Sequence, residues 1–149
     1  APSREFLRRS LALAYAAKQG LRFDKAVLIA PPSDPEAFIG EILRRLALPK
    51  ATGAALKTYI AQRFSLDWDS IAMSRLTRQL RQSALVIHDQ EDREVAYAAG
   101  ESVAAHWPGA RFLATRGLGH KRILNDEEAV AQALDFVAGQ GVGSDGGRR

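Results

Sequence analysis

The chain has 149 residues, a length that suits one domain built around one hydrophobic core. It contains no cysteine, which excludes disulfide scaffolds, thiol nucleophiles and cysteine-ligated zinc, and its net charge of +4 is too small to indicate a nucleic-acid partner. No apolar stretch approaches the ~20 residues that span a bilayer, and no secretory signal pattern is present, so we expect a cytoplasmic protein with no membrane partner.

The hydrophobic pattern alternates between helical spacing and short continuous apolar runs. The runs are AVLIA, ALVIH and RFLAT, and each is bounded by turn or polar residues, as strands buried on both faces of a parallel sheet are. In chain order the pattern predicts a helix at 4–19, a strand at 26–30, helices at 35–47, 53–64 and 69–81, a strand at 84–88, a helix at 96–107, a strand at 111–115 and a helix at 126–138. For the last helix, Asn125 and Glu128 form a predicted capping box, and Gly139 ends it.

Strands that alternate with helices predict right-handed crossovers and therefore an α/β fold. We expect a small parallel sheet of about three strands flanked by helices, with a cap-like helical insertion at 35–81 between the first and second strands. Residues 1–138 form one predicted domain, and residues 139–149 form a predicted flexible, glycine-rich tail.

Polar residues that follow the second and third strands are the candidates for chemistry, because the carboxyl ends of parallel strands meet at one edge of the sheet. Asp92 follows the second strand and His120 follows the third. An imidazole can take the proton of a hydroxyl nucleophile, and a carboxylate can orient that imidazole. Two alternatives remain open: Asp92 is a turn residue or a cap for the helix near 96, and His120 is an exposed loop histidine.

Three segments resemble the α/β-hydrolase family. HDQEDREV at 88–95 and HWPGARFLATRGLGHKRIL at 106–124 resemble the last third of that family, and VLIAPPSDP at 27–35 resembles its sixth strand and the following loop; the resemblance covers roughly residues 20–138. It implies that Asp92 is the acid and His120 the histidine of a Ser-Asp-His triad. The spacing of 28 positions between them is typical of the family.

The nucleophile is where the sequence departs from the family. The family's serine lies in G-x-S-x-G before the helix that precedes the VLIAPP strand, where this chain has Ser3 with Glu5 in place of the second glycine. We interpret Ser3 as an N-cap and Ser10 as an ordinary helix residue. The family's first five strands and its oxyanion loop also have no counterpart in this sequence.

Two functions follow, and they leave open whether the chain is an enzyme. In the first, the chain is the C-terminal part of a hydrolase of small ester or acyl substrates, inactive when isolated. In the second, it is a truncated, non-catalytic relative that binds a partner or a small apolar ligand.

We expect no cofactor and no metal site. The glycines of GLGHKR do not open a helix after a first strand, as those of a phosphate-binding loop do, and His88 and His106 have no metal-ligand spacing with His120. His88 is expected to be a hydrogen-bonded structural residue. Apolar residues at helical spacing in the insertion are expected to be mostly core; they are Phe38, Ile42, Leu46, Tyr59, Ile60, Phe64 and Trp68.

The strand at 26–30 carries no charge or proline, and the strand that borders it in the resembled family is missing from this sequence. An apolar strand at an open edge is a template for pairing with another chain. We therefore expect a homo-oligomer, or association with a segment that carries the missing strands.

Overall fold

The computed structural model of the chain describes residue 20 and residues 23–65 and 67–139. The predicted helix at 4–19, Ser3, Ser10 and the tail beyond Gly139 lie outside the described residues. The described part has three parallel strands, β1 (Lys25–Ile29), β2 (Ser83–Asp89) and β3 (Ala110–Thr115), in the spatial order β1-β2-β3.

Helices lie between and after the strands, which confirms the α/β class and the helical insertion between the first two strands. Each strand agrees with its prediction to within about a residue at either end. The helices are α1 (Pro35–Arg45), α2 (Lys50–Phe64), α3 (Trp68–Ile71), α4 (Met73–Gln79), α5 (Tyr97–His106), α6 (Gly119–Arg122) and α7 (Glu127–Ala138).

β2 is the centre of the fold, and its residues from Ala84 to Asp89 are all buried. Alternate side chains point to opposite faces of a strand, so Leu85 and Ile87 pack with Phe136 of α7 on one face. On the other face Val86 packs against α4 and α5. The apolar run of β2 is therefore explained by helices on both sides of the sheet.

β1 is only half-buried along its whole length, although its sequence predicts burial on both faces. It lies at the edge of the described sheet and pairs there with β2 alone. The ammonium of Lys25 donates to the backbone oxygens of Phe136 (2.8 Å) and Val137 (3.2 Å), at the C-terminal end of α7. This contact joins the first described strand to the last described helix. The expected association through the β1 edge stays a prediction.

Three helical details differ from the sequence predictions. The helix predicted at 69–81 is divided into α3 and α4, because Ala72 between them has extended backbone angles. Asp126, not Asn125, is the N-cap of α7, and its carboxylate accepts the backbone N–H of Ala129. Gly139 ends α7 in the left-handed conformation, as predicted. The short α6 was not predicted.

The expectation that the apolar residues of the insertion are mostly core is wrong for three of them. Leu46, Tyr59 and Phe64 are 63%, 61% and 67% exposed. Ile42, Ile60 and Trp68 are half-buried, and the side chain of Phe38 is not described. Helical spacing places apolar side chains on one face of a helix but does not specify what covers that face.

No helix in the described ranges combines the length and the apolar character needed to cross a bilayer. The expected cytoplasmic location stays a prediction.

Candidate active site

The structure brings the two predicted site residues together. Asp92 lies in the turn after β2, and His120 is the second residue of α6, shortly after β3. Nδ1 of His120 lies 2.8 Å from Oδ2 of Asp92, within the range of a hydrogen bond to a charged acceptor. The pair meets because β2 and β3 are neighbouring parallel strands whose carboxyl ends lie at the same edge of the sheet.

Asp92 also shapes its own turn. Its Oδ1 accepts the backbone N–H groups of Glu94 (2.8 Å) and Val95 (2.9 Å). Helix α5 begins after Ala96 without a side-chain cap, so the alternative that Asp92 caps this helix is wrong. The alternative of a turn residue holds together with the contact to His120, because each carboxylate oxygen serves one of the two roles.

A second imidazole touches the same carboxylate. His88 is fully buried on β2, and its Nε2 lies 3.1 Å from the backbone oxygen of Val95 and 3.3 Å from Oδ2 of Asp92. Both neighbours are acceptors, so the proton of the ring resides on Nε2. Within the described part of the chain, Nδ1 of His88 has no hydrogen-bond partner, and it faces the helix backbone at Gly100. His88 is thus hydrogen-bonded, as the sequence predicts, and it is also fully buried.

The Asp92 side chain is fully buried, and burial by itself raises the pKa of a carboxyl group. Here that effect is outweighed by hydrogen bonds from His120, His88, Val95 and Glu94, which together hold the pKa of Asp92 well below its ordinary value. The site therefore contains a carboxylate that stays charged near neutral pH. A charged acceptor fixes the Nδ1–H tautomer of His120 and leaves Nε2 as the nitrogen that can accept a proton.

The loop that carries His120 turns sharply at two glycines. Gly117 and Gly119 have φ angles of 78° and 65°, in the left-handed region that favours glycine. The turn is held against β2 by Asp89, whose carboxylate accepts the backbone N–H groups of Leu118 (3.1 Å) and Gly119 (2.9 Å). The His120 side chain is 20% exposed, so protein surrounds it on most sides and a part of it is in contact with solvent.

A further aspartate, Asp89, borders the site and was not among the residues predicted from the sequence. It lies at the carboxyl end of β2 and is fully buried, and its pKa is below the ordinary value because hydrogen bonds from Gly119, Leu118, Thr115 and Glu91 outweigh the opposing effect of burial. The one signal in the sequence is that an aspartate directly follows an apolar strand. Many solvent-exposed turns share that signal.

The third histidine of the chain, His106, is engaged within its own helix. Nδ1 of His106 lies 2.7 Å from the backbone oxygen of Ser102, one turn earlier in α5. Ser3 and Ser10 lie outside the described residues. Among the residues that are described, no group of three or more His, Asp or Glu side chains is arranged to hold a metal ion.

A cavity of about 1010 Å³ opens between α1 and α2 in the insertion. Its lining includes Leu43, Leu48 and Trp68 but neither Asp92 nor His120. The insertion approaches the site elsewhere, where the guanidinium of Arg45 lies 3.4 Å from the backbone oxygen of the residue that follows Asp92.

No protein-family model matches the sequence, and no curated protein matches it. Solved structures do match. The chain is 20% identical to an esterase from Rhodococcus sp. ECU1013, with a TM-score of 0.57 over 89% of this chain and 62% of the esterase.

Two further structures give the same result. An alpha/beta hydrolase superfamily protein from Enterococcus faecalis is 15% identical, with a TM-score of 0.55 over 87% of this chain and 60% of that one. A meta-cleavage product hydrolase from Pseudomonas fluorescens IP01 is also 15% identical, with a TM-score of 0.55 over 89% of this chain and 62% of that one. This chain thus spans roughly three fifths of the length of the structures it matches.

Proposed function

We propose, on the premise that this chain has the α/β-hydrolase fold over part of that fold's length, that it supplies the acid and the base of a serine hydrolase. Asp92 orients His120, and Nε2 of His120 takes the proton of a hydroxyl nucleophile that attacks an ester or another acyl group. The nucleophile itself is not assigned. The substrate class is a small acyl or ester compound, and no cofactor takes part.

One observation supports this proposal above the others. The 2.8 Å contact joins a buried carboxylate, held in its charged form by four hydrogen-bond donors, to an imidazole that is partly exposed. A general base needs both a buried partner that fixes its tautomer and a face that a substrate can reach.

The direct test of the pair is proton NMR of the intact chain. A hydrogen bond from an imidazole N–H to a buried carboxylate moves that proton far downfield and slows its exchange with water. We expect this signal in the wild type, its loss in Asp92→Asn and His120→Gln, and its retention in His106→Gln. The last variant is a matched control, because the described hydrogen bond of His106 lies within its own helix. Absence of the signal from the folded wild type would refute the proposal.

The activity test uses p-nitrophenyl esters. We expect the 149-residue chain to hydrolyse them at close to the background rate, because a positioned nucleophile and an oxyanion site supply most of the acceleration in such enzymes. If turnover is observed, it should fall by about 100-fold or more in His120→Gln, since a general base contributes this much. Turnover that survives this substitution would place the chemistry elsewhere, and turnover lost in Ser3→Ala would identify the nucleophile.

A second function, the binding of an apolar ligand or a partner without catalysis, is favoured by one feature. The insertion contains an open cavity lined largely by apolar groups, and it also exposes Leu46, Tyr59 and Phe64. The two functions differ in whether they depend on the contact between Asp92 and His120. A hydrolase requires this contact, and a binding module does not.

A further inference from the structure

We infer that Asp89 is a positioning residue for His120. Its carboxylate fixes the turn at 117–119 and thereby places the imidazole within hydrogen-bond distance of Asp92. This inference rests on the proposed function of the Asp92 and His120 pair. Asp89 touches neither imidazole in any described contact, so it acts through the backbone and not on the reacting atoms.

The contacts of Asp89 show what it holds. Oδ1 accepts the backbone N–H groups of Glu91 and Gly119, each at 2.9 Å, and Oδ2 accepts the hydroxyl of Thr115 at 2.8 Å and the N–H of Leu118 at 3.1 Å. Three of these four donors belong to the segment that ends β3 and precedes His120. A single buried carboxylate therefore binds the His120 loop at three points.

The loop needs this support because of its two glycines. A glycine has more conformations available than any other residue, so a turn with Gly117 and Gly119 loses more entropy when it is ordered. The N–H of Gly119 is the last backbone donor before His120, and Asp89 binds it directly. Movement of that peptide group would change the direction in which the Cα–Cβ bond of His120 points.

The place of Asp89 in the sheet fixes the position of the carboxylate that makes these hydrogen bonds. Asp89 pairs with Thr115 in the parallel register of β2 and β3, so the carboxylate projects from the rigid centre of the sheet. The next residue along continues the register, since Gln90 donates its N–H to the backbone oxygen of Thr115 at 2.9 Å. The two aspartates at this edge thus have separate tasks: Asp92 binds the ring of His120, and Asp89 binds the backbone that carries the ring.

The test compares Asp89→Asn with Asp126→Asn in the full chain. The control variant changes the same atoms at a half-buried hydrogen bond beside the same loop, where Asp126 accepts the N–H of Ala129 at 2.9 Å. Asp126 makes no described bond to the backbone of residues 117–119, so it controls for a local change that leaves the turn itself in place. Asparagine at position 89 has one carbonyl oxygen in place of two carboxylate oxygens, and its amide N–H₂ faces groups that are themselves donors.

The readout is the exchange of the His120 Nδ1 proton with water. We expect exchange about tenfold faster, or loss of the signal, in Asp89→Asn, because hydrogen bonds to a charged acceptor contribute this much to local order. In Asp126→Asn the rate should stay within about twofold of the wild type, since a cap substitution affects chiefly its own helix. Equal rates in the two variants, with the amide signal of Gly119 shifted in Asp89→Asn, would overturn the inference.

A second pair of variants covers the case in which Asp89→Asn does not fold. Thr115→Val removes one donor to Asp89 and leaves the backbone bonds, so exchange of the His120 proton should be faster than in the wild type. Thr115→Ser restores the hydroxyl and should restore the slow rate, which a general loss of stability would not do. Wild-type exchange in Thr115→Val would contradict the inference.

The two proposals fail in different ways. If the wild type lacks the downfield proton, the pairing of Asp92 and His120 is refuted. If the proton is present and neither Asp89 nor Thr115 affects it, the pair stands and the positioning role of Asp89 does not.

Discussion

The segment from β2 to α7 and the helical insertion from α1 to α4 differ in how far their side chains are buried and hydrogen-bonded. Around β2, apolar residues are packed on both faces of the sheet, and Asp89 is buried with hydrogen bonds to both of its carboxylate oxygens. The insertion leaves five of its described large apolar side chains in solvent; they are Leu46, Leu48, Leu56, Tyr59 and Phe64.

The difference shows that order at the site comes from the sheet and not from the insertion. Asp92 and His120 are held from β2 and β3, which pair with each other from Ala84 to Asp89 of β2. The insertion contributes the contact from Arg45 to the turn that contains Asp92, at 3.4 Å. Substitutions in the two regions should therefore have unequal effects on stability, and the following experiments measure that inequality.

The largest difference in the free energy of unfolding is expected between two aromatic truncations, one in each region. Trp107 is 1% exposed and donates its indole N–H to the backbone oxygen of Gln82 at 2.8 Å, whereas Phe64 is 67% exposed. Trp107→Ala should lower the free energy of unfolding by about 3–5 kcal/mol, as core aromatic truncations do. Phe64→Ala should change it by less than about 0.5 kcal/mol. Urea denaturation measures both, and a cost above about 2 kcal/mol for Phe64→Ala would show that this face is covered in solution.

A smaller difference in the free energy of unfolding is expected when two buried helix glycines are replaced by alanine. A Cβ at Gly100 would overlap Nδ1 of His88 and lie 2.9 Å from its Cγ, in a ring that is fully buried, so Gly100→Ala should cost about 1–3 kcal/mol. A Cβ at Gly53 would meet only the end of the Leu43 side chain, at 2.8 Å. That side chain can move, so Gly53→Ala should be neutral or stabilise by up to about 1 kcal/mol. Similar costs for both variants, again by urea denaturation, would contradict the comparison.

The smallest expected effect is a change in the dependence of stability on pH. The pKa of Asp92 and that of Asp89 are lower in the folded chain than the ordinary value of 3.8. Both carboxylates therefore stabilise the fold above about pH 4, and this contribution is lost as the pH falls further. The urea midpoint should decline between about pH 5 and pH 3, with a shallower slope in Asp92→Asn and Asp89→Asn.

The control for the pH experiment is Asp69→Asn in the insertion. The Asp69 side chain is 80% exposed, so its surroundings change little on unfolding, and the variant should keep the wild-type slope. If Asp69→Asn flattens the slope as much as Asp92→Asn does, the acid sensitivity does not arise at the site.

The sequence predicts the sheet well because short apolar runs that are bounded by turn or polar residues favour strands over helices. The half-burial of β1 shows that such a run does not specify burial on both faces. It also predicts the meeting of Asp92 and His120, since both follow strands whose carboxyl ends share one edge. The role of Asp89 could not be predicted, because it depends on the register that sets Asp89 opposite Thr115. Four residues are too few for α6 to show a helical period.

The insertion illustrates a different reason for failure. Periodicity correctly indicates helices there, but it carries no information about the surface that packs against them, and Tyr59 is therefore exposed although its spacing suits a core position. The division between α3 and α4 at Ala72 has no proline or glycine to signal it. The N-cap of α7 differs by one position because Asn125 and Asp126 are adjacent residues that both suit a cap.

The order of the strands determines how much chain entropy is lost when each pair of strands forms. β2 and β3 pair residues that are about 26 positions apart, as Ala84 and Ala110 are, whereas β1 and β2 pair residues about 58 positions apart, as Lys25 and Ser83 are. Closing the longer loop costs roughly 0.7 kcal/mol more in chain entropy, because this cost grows with the logarithm of loop length. The strand pair that carries Asp92 and His120 is thus the more local of the two pairings, and it is the less costly one to form.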